Sequence, residues 1–512
     1  MKIKRALISL SDKKNLKNIL KILKKYKINI VSSGGTFKKI KKLGFNCTEV
    51  SKFTNFPEIL NGRVKTLHPK IHAGILYKRA SKSDQRDMKM NDLDDIDLVI
   101  VNFYPFEEIK KKNNNQKKIV ENIDIGGPTL VRAAAKNFEF VTTISSIDQY
   151  EEFKKEITKN NGYTSLKFRQ KMSEEAFIAT GKYDVMISNY FTDLSKNIFS
   201  KNKIVSYEKI EDLRYGENPH QKAAIYNLQG KEDQIKQLSG KKLSFNNYND
   251  LYSALQLSKS LPYNKGTVIL KHSNPCGVSI DANKLKSYLL ALKCDPVSAY
   301  GGIVSCNFKI NKNLARELNK LYFEIIIGNG FDVDALKVLK KKKNLRIIDS
   351  EQFILSEQLS TISNSNTVLF QSIDNKKFNK KDFKVVSKIT PTREDMNNLI
   401  FAFNVCRFVK SNAIVLTSNY STIGIGSGQT SRIDSCKIAI NKMRDLGKSS
   451  NSKIYAASDA FFPFIDGLEK LVHAGISAVI QPSGSIRDKE IIKFANKLGI
   501  ALVFSNSRHF KH

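Results

Sequence analysis

The sequence lacks the features that mark several classes of protein. It has no tryptophan, and its six cysteines form no CxxC pair, so we predict neither a zinc site nor a disulfide framework. Its longest uncharged apolar runs, such as 98–103, are far too short to span a bilayer. The first residues lack the long apolar core and cleavage site of a secretory signal. We therefore expect a cytoplasmic protein with reduced thiols and no membrane segment.

Acidic residues are scarce relative to basic ones. Lysine plus arginine number 85 against 49 aspartate plus glutamate, which gives a formal net charge of +36. This charge invites a nucleic-acid hypothesis, but the lysines are scattered, and no basic run interleaved with aromatic residues and no helix-turn-helix or zinc-finger spacing occurs. We predict no specific nucleic-acid partner and interpret the charge as a solvated surface that also suits anionic small substrates. Nucleic-acid binding stays an alternative supported by charge alone.

The length of the chain indicates more than one domain. At 512 residues it exceeds a single compact core, and 41% hydrophobic residues supply material for several. The pattern is helical between about 150 and 200 and turns polar and charged at 201–208. We place the boundary there, with domains at 1–200 and 201–512.

The first 200 residues alternate strand and helix patterns. Strands are predicted at 3–10, at 28–32, near 50, at 97–103 and at 140–145. Ser11 or Asp12 is predicted to cap a helix whose apolar positions recur at helical spacing from Leu16 to Leu23. This alternation predicts a doubly wound α/β domain with a parallel sheet, in which ligands bind beyond the carboxyl ends of the strands.

Polar motifs follow these strands. They are SDK (11–13), SGGT (33–36), GRVKTLHPKIHAG (62–74), NFYPF (102–106) and IDIGGPTLVRAAAKN (123–137). Glycines at a helix start let backbone N–H groups approach an anion. Taken singly, each motif has a plainer interpretation: a steric turn for SGGT, a capping carboxylate for Asp124 and a surface lysine for Lys136. Pro69 separates His68 from His72 and no HExxH glutamate is present, so we predict no metal site.

A second series of motifs follows residue 200. They are LRYGENPHQ (213–221), LKHSNPCG (270–277), DPVSAYGGIVS (295–305), KSNAIVL (410–416), GIGSGQTSRID (424–434), SDAFFPFID (458–466), QPSGSIRD (481–488) and SNSRHFKH (505–512). A predicted strand at 267–270 delivers Lys271 and His272 into a loop bounded by proline and glycine, a placement suited to catalysis. Cys276 lacks the surrounding signatures of a zinc deaminase.

Taken in order, the motifs closely resemble those of the bifunctional family that combines aminoimidazole carboxamide ribonucleotide (AICAR) formyltransferase with inosinate (IMP) cyclohydrolase. The resemblance runs from Ser9 to the C-terminus. It implies a methylglyoxal-synthase-like doubly wound domain followed by a formyltransferase domain of two cytidine-deaminase-like subdomains. It further implies transfer of formyl from the co-substrate 10-formyltetrahydrofolate to AICAR, then cyclisation of formyl-AICAR to IMP with loss of water. No metal is required, and a homodimer is implied because the family shares active sites across subunits.

The resemblance also implies roles for individual residues, carried over by motif. Ring closure would use the catalytic residues Lys65, Tyr104, Asp124 and Lys136. Nucleotide would be bound there by Ser11, Asp12, Lys13, Ser33, Gly34, Gly35, Thr36, Arg63 and Thr66. Formyl transfer would use the catalytic residues Lys271 and His272, with AICAR held by Arg214, Tyr215, Gly301, Asn412 and Arg432. The folate would be bound by Phe461, Asp466, Ser485, Ile486 and Arg508.

One departure from the family pattern is visible in the loop 327–331. Gly330 stands where some members place an Asp that contacts substrate, which leaves that contact open. The alternative function in another class is a nucleotide-sensing regulatory protein, since domains similar to the first one also serve as allosteric modules. Ligand binding without turnover would favour that alternative.

Overall fold

The computed structural model describes residues 1–228, 235–354, 359–445 and 452–512. It divides into two compact units, Met1–Glu208 with Leu228, and Lys209–Asn227 with the described residues from 235 onward. The division after Glu208 coincides with the end of the polar segment 201–208. Within the described ranges, no helix has the length and apolar character needed to cross a membrane.

Five described strands of the first unit form a parallel sheet in the order β3-β2-β1-β4-β5. They are β1 (Arg5–Leu10), β2 (Asn29–Ser32), β3 (Thr48–Glu49), β4 (Leu98–Asn102) and β5 (Thr142–Ile144). The predicted strands are confirmed to within a few residues at their ends. The strand order reverses between β1 and β4, so the crevice beyond their carboxyl ends is the expected ligand position.

Helices pack against both faces of this sheet. The α-helices described in this unit are α1 (Leu16–Lys25), α2 (Gly34–Lys42), α3 (Val50–Thr54), α4 (Pro69–Leu76), α5 (Lys82–Met90), α6 (Phe106–Lys112), α7 (Gln116–Glu121), α8 (Gly126–Lys136), α9 (Tyr150–Lys159) and α10 (Leu166–Leu194). In β1, Ile8 joins one hydrophobic cluster and Leu7 the other, as alternation along a strand requires. The predicted cap of α1 is wrong: Asn15 precedes the helix in a left-handed conformation, and Asp12 Oδ1 instead accepts from the Lys14 amide at 2.9 Å.

The strands of the remaining chain fall into one large sheet and two ribbons. They are β6 (Tyr207–Leu213), β7 (Ala223–Leu228), β8 (Lys236–Ser239), β9 (Gly266–Lys271), β10 (Asn274–Ile280), β11 (Ile303–Cys306), β12 (Ile325–Gly328), β13 (Arg346–Asp349), β14 (Leu359–Asn364), β15 (Thr367–Ser372), β16 (Phe383–Val385), β17 (Ile414–Ser418), β18 (Ser421–Gly426), β19 (Tyr455–Ser458), β20 (Ala478–Pro482) and β21 (Ala501–Ser505). Twelve of the described strands form the sheet β16-β21-β20-β19-β17-β18-β10-β9-β11-β12-β13-β8, while β6–β7 and β14–β15 pair separately. The helices of this unit are α11 (Phe245–Ser260), α12 (Lys284–Cys294), α13 (Pro296–Ala299), α14 (Lys312–Leu318), α15 (Val333–Leu339), α16 (Arg393–Cys406), α17 (Arg432–Asp445), α18 (Ile465–His473) and α19 (Asp488–Leu498).

The large sheet consists of two halves with the same topology, which we call repeat 1 (236–349) and repeat 2 (383–505). From the centre outward, repeat 1 runs β10-β9-β11-β12-β13-β8 and repeat 2 runs β18-β17-β19-β20-β21-β16. In each half a hairpin is followed by an antiparallel strand, two parallel strands and an antiparallel edge strand. The repeats meet at the antiparallel contact between β10 and β18. This duplication gives the unit the two subdomains that the family resemblance implied.

The two central hairpins repeat each other in detail. Each has a bulge of one residue, Cys276 in β10 and Ile423 in β18. Each turn has two residues with positive φ, at 52° and 58° in 272–273 and at 46° and 57° in 419–420. The same local geometry therefore carries two different pairs of side chains, His-Ser and Asn-Tyr.

Candidate active sites

In the first unit, Asn102 joins the loops that follow β1 and β4. Its side-chain oxygen accepts from the amides of Ser11 at 2.7 Å and Asp12 at 3.1 Å, and its Nδ2 donates to the Asp12 carbonyl at 2.8 Å. Thr36 Oγ1 hydrogen-bonds to both the amide and the carbonyl of Leu10, at 2.9 and 3.0 Å. The motifs predicted to follow β1, β2 and β4 therefore lie at one edge of the sheet.

The start of α2 is suited to an anion. Gly34 has φ +52°, and a Cβ placed there would lie 3.1 Å from Lys65 Nζ. A Cβ at Gly35 would lie 3.9 Å from Lys13 Nζ. The Ser33 hydroxyl is buried and has no hydrogen-bond partner among the described atoms. A helix N-terminus, two ammonium groups and an unpaired hydroxyl together favour a phosphate-sized ligand.

Asp124 and Tyr104 form the acid–base part of this site. Asp124 Oδ1 accepts from the Gly127 amide at 2.8 Å, and the Asp124 amide donates to Tyr183 Oη at 2.8 Å. Burial raises the pKa of Asp124 although amides of Gly127 and Tyr104 and the charge of Lys65 oppose it. Burial, assisted by the charge of Asp124, also raises the pKa of Tyr104. A carboxyl group raised in this way is suited to exchanging a proton nearer to neutral pH.

Thr66 and Arg63 occupy different surroundings. Thr66 is buried, and a Cβ at Gly126 would lie 2.9 Å from its Oγ1, which places the hydroxyl at the start of α8. Arg63 is exposed and paired with Glu121, with Nε donating to Oε1 at 3.0 Å. Thr66 is therefore presented to the same edge as Asp124, whereas Arg63 is engaged by a surface carboxylate.

Lys136 lies apart from the other residues predicted for ring closure. It is the exposed last residue of α8, about 15 Å along the axis from Gly126 at 1.5 Å per residue. The structure brings Lys65, Tyr104 and Asp124 together but leaves Lys136 at the opposite end of this helix. Its catalytic role stays a prediction.

The two histidines of the 62–74 motif have structural surroundings. His68 precedes α4 and its Nδ1 accepts from the Lys70 amide at 3.1 Å, so it caps the helix. His72 is half-buried, and desolvation lowers its pKa. Within the described residues, no group of three histidine, cysteine or acidic side chains could hold a metal ion.

In the second unit, the start of α11 gathers the first set of predicted formyltransferase residues. Asn246 Nδ2 donates to the Glu217 carbonyl at 3.2 Å, which ties down the loop 213–221 that carries Arg214 and Tyr215. One turn later, Asp250 Oδ1 accepts from the amide of Ser273 at 2.7 Å, directly after His272. One helix therefore contacts both motifs.

Lys271 and Gly301 are neighbours at the same end of the sheet. Lys271 Nζ donates to the Tyr300 carbonyl at 2.9 Å, and a Cβ at Gly301 would lie 3.9 Å from that ammonium group. Gly301 has φ +73°, a conformation that favours glycine. His272 is exposed in the turn. The ammonium and imidazole groups are thus presented at the end of β9 without being buried in the core.

Glu324 is a candidate site residue that the sequence analysis missed. It immediately precedes β12, its amide donates to the Gly302 carbonyl at 2.9 Å, and its Oε2 accepts from Asn247 Nδ2 at 2.7 Å. Gly330 follows the other end of β12, so it lies at the opposite edge of the sheet from Glu324 and Gly301. A single glutamate before an isoleucine-rich strand belongs to no motif, so nothing in the sequence singled it out.

A pocket in repeat 2 brings together residues predicted for both substrates. It has a volume of about 450 Å³ and is lined by Asn412, Arg432, Phe461, Asp466 and Arg508, among others. Arg432 is buried, is paired with Asp459 and donates to Asn412 Oδ1 at 2.7 Å. Asn412 Nδ2 in turn donates to the Gln429 carbonyl at 2.9 Å. Arg432 therefore fixes the orientation of Asn412, and its own guanidinium is largely occupied.

Ser485 and Ile486 are not in the lining of this pocket. Ile486 is fully exposed, and the amide of Ser485 hydrogen-bonds to Asp488 Oδ1 at 3.3 Å. The adjacent Arg487 lies 4.7 Å from the ring centroid of Phe464, which does line the pocket. The 485–486 loop is therefore beside the pocket rim.

Both sets of formyltransferase residues lie at one edge of the large sheet. Strands β9, β10, β18 and β17 are antiparallel in succession, so the end of β9 and the start of β17 share an edge, about 14 Å apart at 4.8 Å per strand. Asn274 Oδ1 accepts from the Lys410 amide at 3.0 Å and links the β9–β10 turn to the segment that leads to Asn412. The strand order of the sheet thus brings predicted site residues between Lys271 and Arg508 to one edge, although they are distant in the sequence.

Two family models match the chain, and they meet inside the first unit rather than at its end. Residues 15–129 match the model of the MGS-like domain, and residues 134–442 match that of the AICARFT/IMPCHase bienzyme. The solved structure of ForH is 29% identical and covers 37% of this chain and 99% of its own, with a TM-score of 0.34, too low to support an argument about the fold.

Bacterial relatives match along the whole length. The bifunctional purine biosynthesis protein PurH of Acetivibrio thermocellus is 42% identical over 520 residues, covering 100% of both chains. PurH of Buchnera aphidicola subsp. Schizaphis graminum is 44% identical over 526 residues, covering 100% of this chain and 99% of its own. The chain therefore belongs to the family of bifunctional enzymes of purine biosynthesis that have AICAR formyltransferase and IMP cyclohydrolase activities and use a folate-type one-carbon donor.

Proposed function

We propose that residues 1–200 cyclise formyl-AICAR to IMP and that residues 201–512 transfer formyl from 10-formyltetrahydrofolate to AICAR. Family membership supports both half-reactions. The observation that carries the residue assignments is the grouping of side chains at one sheet edge in each unit. We also propose a homodimer in the cytoplasm that binds small anionic substrates and has no specific nucleic-acid partner.

For ring closure, the carboxamide nitrogen must attack the formamido carbon of the same molecule. The site then has to orient one substrate and stabilise charge on the formamido oxygen, so much of the rate derives from positioning. Lys65 is suited to stabilise that oxygen. Asp124, with its raised pKa, and Tyr104 are suited to take the amide proton and return one as water leaves. The phosphate would bind at the start of α2, near Ser33 and Lys13.

For formyl transfer, the exocyclic amine of AICAR must attack the formyl carbon of the folate. The new C–N bond forms and the amine proton passes to His272. The bond from the formyl carbon to the folate nitrogen then breaks, and that nitrogen takes up the proton held by His272, so that tetrahydrofolate leaves. Lys271 stabilises charge on the formyl oxygen or the departing nitrogen. Arg214, Tyr215, Gly301 and Asn412 would hold AICAR, with Glu324 as an added candidate.

The folate would occupy the pocket of repeat 2. Phe461 offers apolar contact to the flat pterin, and Arg508 offers a cation to an anionic part of a ligand. Ser485 and Ile486 would act from the rim rather than from within the pocket. The 450 Å³ volume lies in the range of small-molecule sites.

The test is to incubate the purified protein with AICAR and 10-formyltetrahydrofolate and to follow formyl-AICAR and IMP by chromatography. We expect both to appear. Binding of nucleotide without either product would favour the regulatory alternative, and the oligomeric state is checked separately by light scattering.

The residue assignments of the first site are tested on supplied formyl-AICAR. We expect Lys65→Ala and Asp124→Asn to lower the cyclisation rate by about 10² or more while the protein remains folded. Lys136→Ala, measured beside them, decides whether the lysine at the far end of α8 belongs to the site. Parental rates in all three folded variants would contradict the assignment.

A further inference from the structure

We propose that Asp250 is a positioning residue for formyl transfer, which acts by holding the His272–Ser273 turn in the conformation that presents the imidazole. The inference rests on the proposed role of His272. Asp250 Oδ1 accepts from both the amide and the hydroxyl of Ser273, at 2.7 and 3.2 Å. Asp250 therefore joins α11 to the turn.

The turn needs such support because its residues disfavour its conformation. His272 and Ser273 both have positive φ, as a two-residue type I′ hairpin turn requires. Asn-Gly is the usual choice for such turns, and other side chains are strained there. Strained backbone persists where the surroundings over-determine it, and it concentrates at functional positions.

Repeat 2 contains the same support without the same chemistry. There, Asn398 Oδ1 accepts from the Tyr420 amide at 2.8 Å. Asp250 and Asn398 each lie three residues after the last residue of a capping box, Asn247 in α11 and Asp395 in α16. An amide oxygen is therefore enough to hold this turn, so we assign the function of Asp250 to the position of its oxygen rather than to its charge.

The rest of the turn is held from the opposite side. Asn274 Nδ2 donates to the His272 carbonyl at 3.3 Å, and its Oδ1 accepts from the Lys410 amide. Backbone groups on both sides of the imidazole are thus fixed, while the ring itself is exposed. Loss of the Asp250 contact would release one side of the turn and let the imidazole leave its attacking geometry.

The experiment measures both half-reactions of the full chain for Asp250→Ala, Asp250→Asn and Asp250→Glu. We expect Asp250→Ala to lower kcat of formyl transfer by about 10- to 100-fold, since small displacements of a catalytic group have effects of this size. KM for AICAR should change less than about threefold, because Asp250 does not touch the substrate in this scheme. Cyclisation of supplied formyl-AICAR should be unchanged. Asp250→Asn should restore kcat to within about threefold, whereas Asp250→Glu, which displaces the oxygen by one methylene, should not.

Asn398→Ala is the matched control, because it removes the equivalent bond from a turn without catalytic groups. It should lower the melting temperature and leave kcat of formyl transfer unchanged. A folded Asp250→Ala with parental kcat would overturn the inference. If Asp250→Ala does not fold, the Asn and Glu variants decide, because a charge-based role predicts the reverse order of activities and would also overturn it.

His272→Ala is measured in parallel to separate the two proposals. A folded His272→Ala with normal formyl transfer would refute the proposed role of His272, and the inference with it. An inactive His272→Ala beside a fully active Asp250→Ala would refute the inference alone.

Discussion

The two repeats of the large sheet share a backbone and differ in chemistry. Both have the capping box, the bulged hairpin and the left-handed turn held by a side-chain oxygen from the preceding helix. At the end of the first hairpin strand, repeat 1 carries Lys271 and His272, whereas repeat 2 carries Ser418 and Asn419. The shared features are those that the fold requires, so the differing ones are the natural candidates for function.

The two repeats place different loops at the sheet edge that carries the predicted formyltransferase residues. Because β10 and β18 are antiparallel, the end of β9 in repeat 1 lies at the same sheet edge as the start of β17 in repeat 2. Repeat 1 therefore supplies its hairpin turn to this edge, and repeat 2 supplies the loops around Asn412 and Phe461. The two repeats therefore form different halves of the proposed site, because equivalent ends of their strands lie at opposite edges of the sheet.

The largest expected difference between the repeats is catalytic. His272→Ala should lower the rate of formyl transfer by about 10² to 10⁴, the usual contribution of a general base. Asn419→Ala changes the equivalent position of repeat 2 and should leave this rate unchanged. Both rates are measured with cyclisation of supplied formyl-AICAR as the internal reference. A destabilised His272→Ala with near-normal transfer would make His272 structural, and His220 would be tested next.

The second-largest expected effect is a loss of stability on substituting the glycine that follows each hairpin bulge, and it should be equal in the two repeats. Gly277 and Gly424 follow the bulges, and a Cβ at either would collide with a helix carbonyl oxygen, of Ala291 or Ala439. We expect each Gly→Ala change to lower the free energy of unfolding by about 3 kcal/mol, the upper end for overpacking. Gly181→Ala, at an open position of α10, should be neutral or slightly stabilising. Urea unfolding measures all three, and unequal effects at 277 and 424 would show that the repeats differ in rigidity.

A smaller effect concerns the stabilisation by the Asp395 carboxylate of repeat 2, which should be lost at acid pH. Burial opposes ionisation of Asp395, but hydrogen bonds from Tyr455, Thr392 and Lys453 outweigh it and lower its pKa from 3.8 to about 2. Because the folded pKa is the lower one, this carboxylate stabilises the protein above about pH 4, and the contribution is lost as the pH falls towards 2. A shift of this size corresponds to about 2 kcal/mol.

Asp395→Asn tests this expectation. The advantage of the parent over the variant should shrink by about half as unfolding free energies are measured from pH 5 down to pH 3. Asn398→Ala, on the same helix and without a titrating group, should give a difference that does not depend on pH. A pH-independent difference for Asp395→Asn would contradict the assignment.

Much of the fold could be predicted because it depends on local patterns. The spacing from Leu16 to Leu23 predicted α1, and its four apolar positions are buried. The β-branched run at 267–270 predicted β9, which spans Gly266–Lys271. The duplication could not be predicted in this way, because the repeats preserve hydrogen-bonding roles and not residue types, as Asp250 and Asn398 illustrate.

The sites were predictable where a motif carries several polar residues together. The SGGT motif lies at the sheet edge because it follows β2. The IDIGGPT motif follows a helix, and it reaches the same region because the start of α8 lies beside Thr66 and Lys65. Glu324 could not be found, because its hydrogen bond to the Gly302 carbonyl depends on the pairing of β11 with β12. The occupation of Arg432 by Asp459 likewise depends on the meeting of two distant segments.

The smallest expected effect comes from moving the imidazole between the repeats. We expect His272→Ala combined with Asn419→His to be as inactive in formyl transfer as His272→Ala alone. The turn at 419–420 has the same backbone conformation, but it follows the end of β17 and so lies at the opposite edge of the sheet from Lys271 and Gly301. Steady-state formyl transfer by the two variants, at equal folded fractions from circular dichroism, makes the comparison. Recovery of more than about tenfold would mean that an imidazole in this turn is sufficient, and that the neighbouring lysine and glycine contribute little to catalysis.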